Sequence, residues 1–451
     1  MYKICIKNII NGLFTNQHIT VCGWVKTRRD SKIGISFLNI NDGSCISNLQ
    51  IIIKSNIKNY SKILKLTSGC SVQVNGLIIK SPKSKQSYEM QATSVLVTGW
   101  VDNPRNYPIS AKLHSLEHLR KFAHLRIRTN IFSAITRIRS TVFTAIHNFM
   151  NKNNFILVTT PIITSIDTEG YSTMFSVLTN NKKFFDKKYF LTVSGQLNIE
   201  SYACALSKVY TFGPVFRAEK SNTSRHLAEF WMVEPEIAFA DLQNIIDLTE
   251  DMLKYIFKHV LDERIQDLEF CVKYNNNKNL IRRLNNFINN GFVHISYDEA
   301  VQILEKYKNK FNKQIAWGYD FSLEHENYLT NEHFKNIVVI TNYPKNIKAF
   351  YMRVNTDNKT VAAMDVIAQD IGEIAGGSQR EERLNKLDIC LKEKNLSAKN
   401  YWWYRDLRKY GTVPHSGFGI GLERLISYIT GMYNIRDVIP FPRGIYDDIN
   451  F

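Results

Sequence analysis

The sequence predicts an α+β protein in two parts, a small N-terminal β-barrel and a larger domain that mixes strands with helices. Three observations predict it. Residues 19 to about 100 alternate apolar and polar side chains with a period of two. From Asn130 the period becomes three to four. Between Tyr210 and Phe239, two β-prone runs flank a polar loop and gather charge at their ends.

The first part carries the alternations Ile19-Val21-Gly23-Val25, Leu49-Ile51-Ile53 and Val72-Val74-Gly76-Ile78. Turn signals at Asn41-Asp42-Gly43, Asn75-Gly76 and Ser81-Pro82 divide them. Short strands at this spacing suggest a closed barrel. We place this domain at residues 1–102, a hinge containing Pro104 and Pro108 at 103–129, and the second domain at 130–451. There, Ile131, Ile135, Ile138, Val142, Ile146 and Phe149 form one face of an amphipathic helix. Phe155 to Thr159 reads as a strand stopped by Pro161. Such a helix, strand and proline serve either a subunit interface or ordinary core packing. Residues 240–335 alternate helical patterns with Asn- and Lys-rich loops and read as an insertion or connecting region. Strands return at Ile337–Thr341, Ala349–Asn355 and Thr360–Ile367, and Ser416–Met432 runs from a Gly-punctuated strand into a helix.

The 451 residues carry a net charge of +17, which favours an anionic partner, nucleic acid ahead of membrane; a Lys-, Asn- and Ile-rich compositional drift is the alternative. The seven cysteines include no CxxC pair, so neither zinc nor a disulfide frame is indicated. With no apolar run of membrane-spanning length and no signal-like start, the chain reads as soluble and intracellular.

The charged hairpin is the most informative stretch. Arg217 and Glu219 stand where its first strand ends; Arg225, His226, Glu229 and Phe230 stand where the second begins. Guanidinium groups hold polyphosphate, a carboxylate accepts from a base amine, and a flat ring lies on an aromatic face. Two distant segments complete the set: Glu373 to Arg380, and Arg424 after glycines 417, 419 and 421, which we expect to admit a ligand close to the backbone. The glycine spacing fits neither a Rossmann fingerprint nor a P-loop.

These segments resemble the three motifs of class II aminoacyl-tRNA synthetases. The helix ending in Pro161 resembles motif 1, FRAE–loop–RHLAEF motif 2, and GIGLERL motif 3. The barrel resembles the OB-fold anticodon domain of the aspartyl/asparaginyl/lysyl subgroup. The resemblance implies a catalytic domain with a mainly antiparallel sheet flanked by helices. VSGQLNIE, GGSQREER and GTVPHSGFG look asparaginyl rather than aspartyl. Aspartyl enzymes carry a Lys where Ile199 stands and an Asp where Glu234 stands. Losing that cation removes the reward for a charged substrate side chain.

The resemblance implies a cytoplasmic homodimer, joined through the motif 1 helix and the Pro161 region, that activates L-asparagine with ATP and charges tRNA(Asn). It assigns Arg217 to the α-phosphate and the amino-acid carboxylate, Glu219 and Phe230 to adenine, and Arg225, His226 and Arg424 to the β- and γ-phosphates. Glu373, with Asp365 as a second, would hold Mg2+. Arg380 would donate to the asparagine carbonyl, Glu234 accept from its amide, and Glu169 and Gln196 hold the ammonium end. Glu169 is otherwise a capping carboxylate. In the barrel, Phe37 would stack an anticodon base, Gln50 and Glu89 read base edges, and Arg28 and Arg29 grip phosphate; Phe37 could instead be core and Gln50 plain surface. Tyr171 and Lys220 depart from the family pattern in loops near the site. The nearest rivals are a relaxed aspartyl enzyme and an ammonia-dependent asparagine synthetase, which would lack the barrel.

Overall fold

The computed structural model describes residues 4–82, 86–110, 112–170, 173–178 and 188–445. The chain divides into two compact units, Met1–Arg137 and Ile138–Asn450.

The first unit holds a closed barrel of five strands: β1 (His18–Ser31), β2 (Ile35–Asn41), β3 (Leu49–Lys54), β4 (Ser71–Lys80) and β5 (Tyr88–Gly99), in the order β1-β2-β3-β5-β4. The period-two pattern explains it. Val21, Val25, Leu38, Ile40, Leu49, Ile51, Val72 and Val74 point inward and are buried, and their neighbours face out. One turn signal proves otherwise. Asn75-Gly76 lies inside β4, opposite a register shift in which β5 carries one extra residue, Thr93.

The second unit is built on an eight-stranded sheet. Its strands are β6 (Ile156–Leu157), β10 (Lys208–Phe216), β11 (Glu229–Ala238), β12 (Val293–Ser296), β13 (Val338–Thr341), β14 (Ala363–Ala368), β15 (Gly372–Gln379) and β16 (His415–Gly421). They run in the order β12-β13-β14-β15-β16-β11-β10-β6. Only the outermost pairs, β12 with β13 and β10 with β6, are parallel, so the sheet is mainly antiparallel as expected. A separate three-stranded sheet joins β7 (Ile163–Thr164), β9 (Tyr189–Leu191) and β8 (Ser176–Val177).

The helix expected from Asn130 spans Asn130–Lys152, and all six residues of its predicted stripe are buried. Its Phe143 packs on Phe212 of β10 and Trp231 of β11, with ring centroids 4.7 and 5.6 Å away. Trp231 and Phe230 are neighbours on a strand, so this helix lies across the sheet from the face that carries Phe230.

Two expectations need correction. Ala349–Asn355 is not a strand; it makes only isolated bridges, at Met352 and Val354. Ala349, Phe350 and Tyr351 are all buried, and Phe350 packs on Tyr401 and Tyr404, so core packing overrides the alternation. Residues 240–335 are also more than a connection. The helix Leu242–Asn275, capped by the Asp241–Asn244 box, and the helix Leu280–Asn290 lead into β12, an edge strand of the main sheet.

Candidate active site

The hairpin forms as its sequence predicts. β10 and β11 pair from Lys208↔Ile237 to Phe216↔Glu229, and the polar loop crosses between them. The loop is tied down from afar: Arg436 donates to Thr223 O at 2.9 Å and Asn222 Oδ1 at 3.1 Å, and Ile435 N donates to Ser224 O. Lys220, one of the family departures, is exposed in it. Tyr171, the other, lies outside the described residues.

A cavity of ≈ 320 Å³ opens over this hairpin. Arg217, Glu219, Arg225, His226, Phe230, Glu373 and Arg424 all line it, so the three distant segments meet in one place. Arg217 lies over the Phe230 ring at 5.5 Å and pairs with Glu169 at 2.9 Å. Glu169 thus meets a residue of the cavity, while the local turn is made by Asp167, which accepts from Glu169 N at 3.0 Å. His226 Nδ1 meets the hydroxyls of Ser221 and Thr223. Burial, aided by Arg424, pushes the His226 imidazole below its ordinary range, so it is a neutral hydrogen-bonding group near pH 7. Arg424 donates to Glu373 O at 2.7 Å and pairs with its carboxylate at 3.6 Å. Burial would raise Glu373, but Arg424, Lys348 and Arg217 hold it below the usual carboxylate range.

Period two along β11 carries the site inward. Phe230 and Met232 line the cavity, and Glu234 and Glu236 continue the same face into buried ground. Glu234 accepts from Ser194 Oγ and from Gly195 N at 3.0 Å. Burial raises its carboxyl, while Arg217 and Arg380 lie close enough to pull it down. Arg380 makes a bidentate pair with Glu236, at 3.0 and 2.9 Å, and donates to Ser378 Oγ at 2.9 Å. Gln196 is buried beside this group and donates to Glu200 at 3.1 Å. The Ile199 side chain packs with Val158, Ala203 and Val209.

One of the three motif 3 glycines, Gly417, acts differently from the expectation. A Cβ on Gly417 would lie 1.9 Å from Glu236 Oε2, so Gly417 makes room for a side chain of β11, the one that holds Arg380, rather than for a ligand. Gly419 and Gly421 do line the cavity.

Asp365 faces Glu373 across a bare backbone. A Cβ on Gly376 would lie 2.9 Å from Glu373 Oε1 and 3.4 Å from Asp365 Oδ1. Asp365 is also paired with Lys348. Sequence reasoning missed Lys348 and Glu326. Glu326 comes from the 240–335 region, meets Arg225 at 3.4 Å, and is pushed up to about 8 by burial and then by Glu373. Neither lies in one of the three charged segments, so the sequence pattern did not single it out.

In the barrel, Arg29 pairs in register with Phe37, Thr27 with Asn39, and Asn39 with Gln50. Phe37 and Gln50 are half-buried on the outer face, opposite the core positions Leu38 and Leu49. Gln50 Nε2 donates to Glu89 Oε2 at 3.3 Å; Glu89 is buried and also accepts from Ser81 and Gln86. Arg28 is not on that face. Alternation turns it the other way, where it pairs with Asp30 and donates to Ile63 O and Leu66 O. Thr27 and Asn39, joined at 3.0 Å, belong to the outer face and were missed.

An antiparallel sheet presenting an Arg/Glu/Phe hairpin and a second Arg to one cavity defines a class II synthetase catalytic unit, here in a chain that also carries an OB-type barrel. The family of tRNA synthetases class II (D, K and N) matches residues 115–444, and the OB-fold nucleic acid binding domain matches residues 19–106. The asparagine–tRNA ligase of Baumannia cicadellinicola subsp. Homalodisca coagulata is 58% identical over 98% of this chain and 99% of its own. That of Blochmanniella floridana is 56% identical over 100% of both. The crystal structure of asparaginyl-tRNA synthetase from Pyrococcus horikoshii complexed with asparaginyl-adenylate matches with a TM-score of 0.90 at 33% identity, covering 99% of each chain. The chain belongs to the class II tRNA synthetases of the D, K and N group.

Proposed function

We propose that this chain is an asparagine–tRNA ligase, which activates L-asparagine with ATP and transfers it to the 3′ end of tRNA(Asn). The observation that carries this is the order of side chains along β11. Phe230 and Met232 line a nucleotide-sized cavity, and the buried Glu234 follows, with Arg217 and Arg380 in electrostatic reach. One strand face thus leads from an adenine platform to a carboxylate that accepts from a carboxamide and repels a carboxylate.

In the first step the asparagine carboxylate attacks the α-phosphorus, forming a P–O bond while pyrophosphate leaves. Positioning and charge neutralisation drive such a step. Arg217 holds the α-phosphate and the amino-acid carboxylate, Phe230 and Glu219 hold adenine, and Arg225, His226 and Arg424 hold the outer phosphates. Arg380 donates to the asparagine carbonyl, and Glu169 and Gln196 take the ammonium end.

The acidic group at Gly376 suits Mg2+, a hard cation that takes few protein oxygens. Glu373 and Asp365 would hold it, with Glu326 close by, and it would neutralise phosphate charge. The group spaced most like metal ligands among the described residues, Glu200, Glu236 and His415, is instead filled by the guanidinium groups of Arg380 and Arg408.

Residues 1–102 serve as the anticodon domain, with Phe37 as stacking ring, Gln50 and Glu89 at base edges, and Arg29 on phosphate; residues 103–129 are the hinge and 130–451 the catalytic domain. A second copy of the chain covers the sheet edge at β6, where Ile156, Leu157, Ile162 and Ile163 are exposed beside Pro161. The enzyme works in the cytoplasm, where tRNA is charged; no helix among the described residues is long and apolar enough to cross a membrane.

ATP–pyrophosphate exchange with each amino acid tests the assignment. Exchange is expected with asparagine and not with aspartate; robust exchange with aspartate alone would overturn it.

A further inference from the structure

Behind the amino-acid pocket lies a charged group that none of the assigned roles uses. Glu200 is fully buried on the helix Gln196–Leu206, one turn after Gln196. Its carboxylate accepts from Gln196 Nε2 at 3.1 Å, Tyr404 Oη at 2.8 and 2.9 Å, Arg408 Nη2 at 2.9 Å and His415 Nε2 at 2.9 Å. Arg380 Nε lies 4.0 Å from it. The other ring nitrogen of His415 lies 2.8 Å from Val413 O, which holds the ring in place. Burial works against ionisation of Glu200, yet Arg408, His415 and Arg380 hold it well below the usual carboxylate range.

Two of these contacts reach the substrate residues. A carboxylate accepts only, so the Gln196 group that faces Glu200 must be its NH2. The oxygen of Gln196 is then the atom left for an ammonium. At the other end, Arg380 is clamped by Glu236 with Glu200 beside it. A guanidinium compensated in this way is a hydrogen-bond donor for a neutral carbonyl rather than a counter-ion for a substrate carboxylate.

We propose that Glu200 is a positioning residue that sets asparagine selectivity, by fixing the amide orientation of Gln196 and by offsetting the charge of Arg380. Arg408, Tyr404 and His415 serve to hold Glu200 in place. This rests on the asparagine reading of the site, which exchange by the unaltered enzyme tests independently.

The test is pyrophosphate exchange by Glu200→Gln, with asparagine, aspartate and ATP each varied. Gln keeps the size, loses the charge, and allows the Gln196 amide to turn over. The KM for asparagine is expected to rise at least tenfold with the KM for ATP within twofold, and the asparagine-to-aspartate ratio of kcat/KM to fall at least tenfold. An unchanged ratio and asparagine KM in a folded variant would overturn the proposal. Should Arg408, left uncompensated, prevent folding, Glu200→Gln/Arg408→Met removes both charges. A persisting asparagine KM defect in that double variant supports positioning, and recovery of the unaltered KM overturns it. Tyr404→Phe removes one donor without changing charge and is expected to shift the asparagine KM in the same direction by a smaller factor; no shift counts against the proposal.

Discussion

Glu326→Gln should make the protein more stable at alkaline pH than at acid pH, relative to the unaltered chain. Glu326 is buried, faces Glu373, and is met by Arg225 at 3.4 Å. Arg225 and Arg424 would favour the ionised form, but burial and the like charge of Glu373 outweigh them, and the carboxyl is pushed up to about 8 against 4.5 when unfolded. Between those values the folded state binds a proton that the unfolded state has released, so stability falls as pH rises through the window. The loss is about 1.4 kcal/mol per pH unit, roughly 5 kcal/mol over the whole window and roughly 3 kcal/mol by pH 7. Glutamine keeps the shape and does not titrate, so the variant escapes this loss. The assay is the melting temperature of both proteins at pH 5.5 and pH 8, without nucleotide or divalent cation. The difference in favour of the variant should grow by several degrees between the two. Mg2+ with ATP should shrink it again at pH 8, because a cation beside Glu373 favours the ionised neighbour. A difference that is the same at both pH values would refute the reasoning.

Arg217→Ala should reduce pyrophosphate exchange by roughly 10²–10³-fold or more, the cost of removing a preorganised charge contact, while tRNA affinity measured by filter binding stays within about twofold. Phe37→Ala should do the converse: stacking is worth roughly 1–3 kcal/mol per base, so the KM for tRNA in aminoacylation should rise about tenfold or more with exchange unaffected. Equal losses in both assays would remove the division of labour between the barrel and the catalytic unit. Gly417→Ala places a methyl where Glu236 Oε2 now lies, 1.9 Å from the new Cβ, and should displace the carboxylate that holds Arg380. Exchange kinetics should show a raised asparagine KM and a nearly constant ATP KM; an unchanged asparagine KM would mean that Arg380 does not depend on Glu236.

What could be read from the sequence was local. The helix Asn130–Lys152 shows its buried stripe in one-dimensional spacing, and the β10–β11 hairpin shows two alternating runs about a polar loop. Both are decided within one element, where period and turn chemistry act. Arg217, Phe230, Glu373 and Arg424 could be found because each sits in a motif long enough to be distinctive, and the fold brings all four to one cavity. The misreadings share an opposite origin. Asn75-Gly76 has the chemistry of a turn but lies in a paired strand, and Ala349–Asn355 alternates but is held by rings from another helix. The missed residues are more telling. Arg408 pairs with Glu200 from 208 positions away, and Arg225 with Glu326 from 101. A Glu in a helix carries no mark of a partner so far along the chain, though burial of a carboxylate demands one. Gln196 and Glu200 did stand one helical turn apart in VSGQLNIE, so their shared face was visible. What could not be seen was that this face is buried, and that single fact changes Glu200 from a solvated surface charge into a group that must be paired. On the proposal above, the asparagine selectivity that the resemblance attaches to Ile199, Glu234 and Arg380 gains a further contributor one residue along the helix from Ile199, a buried carboxylate paired with Arg408.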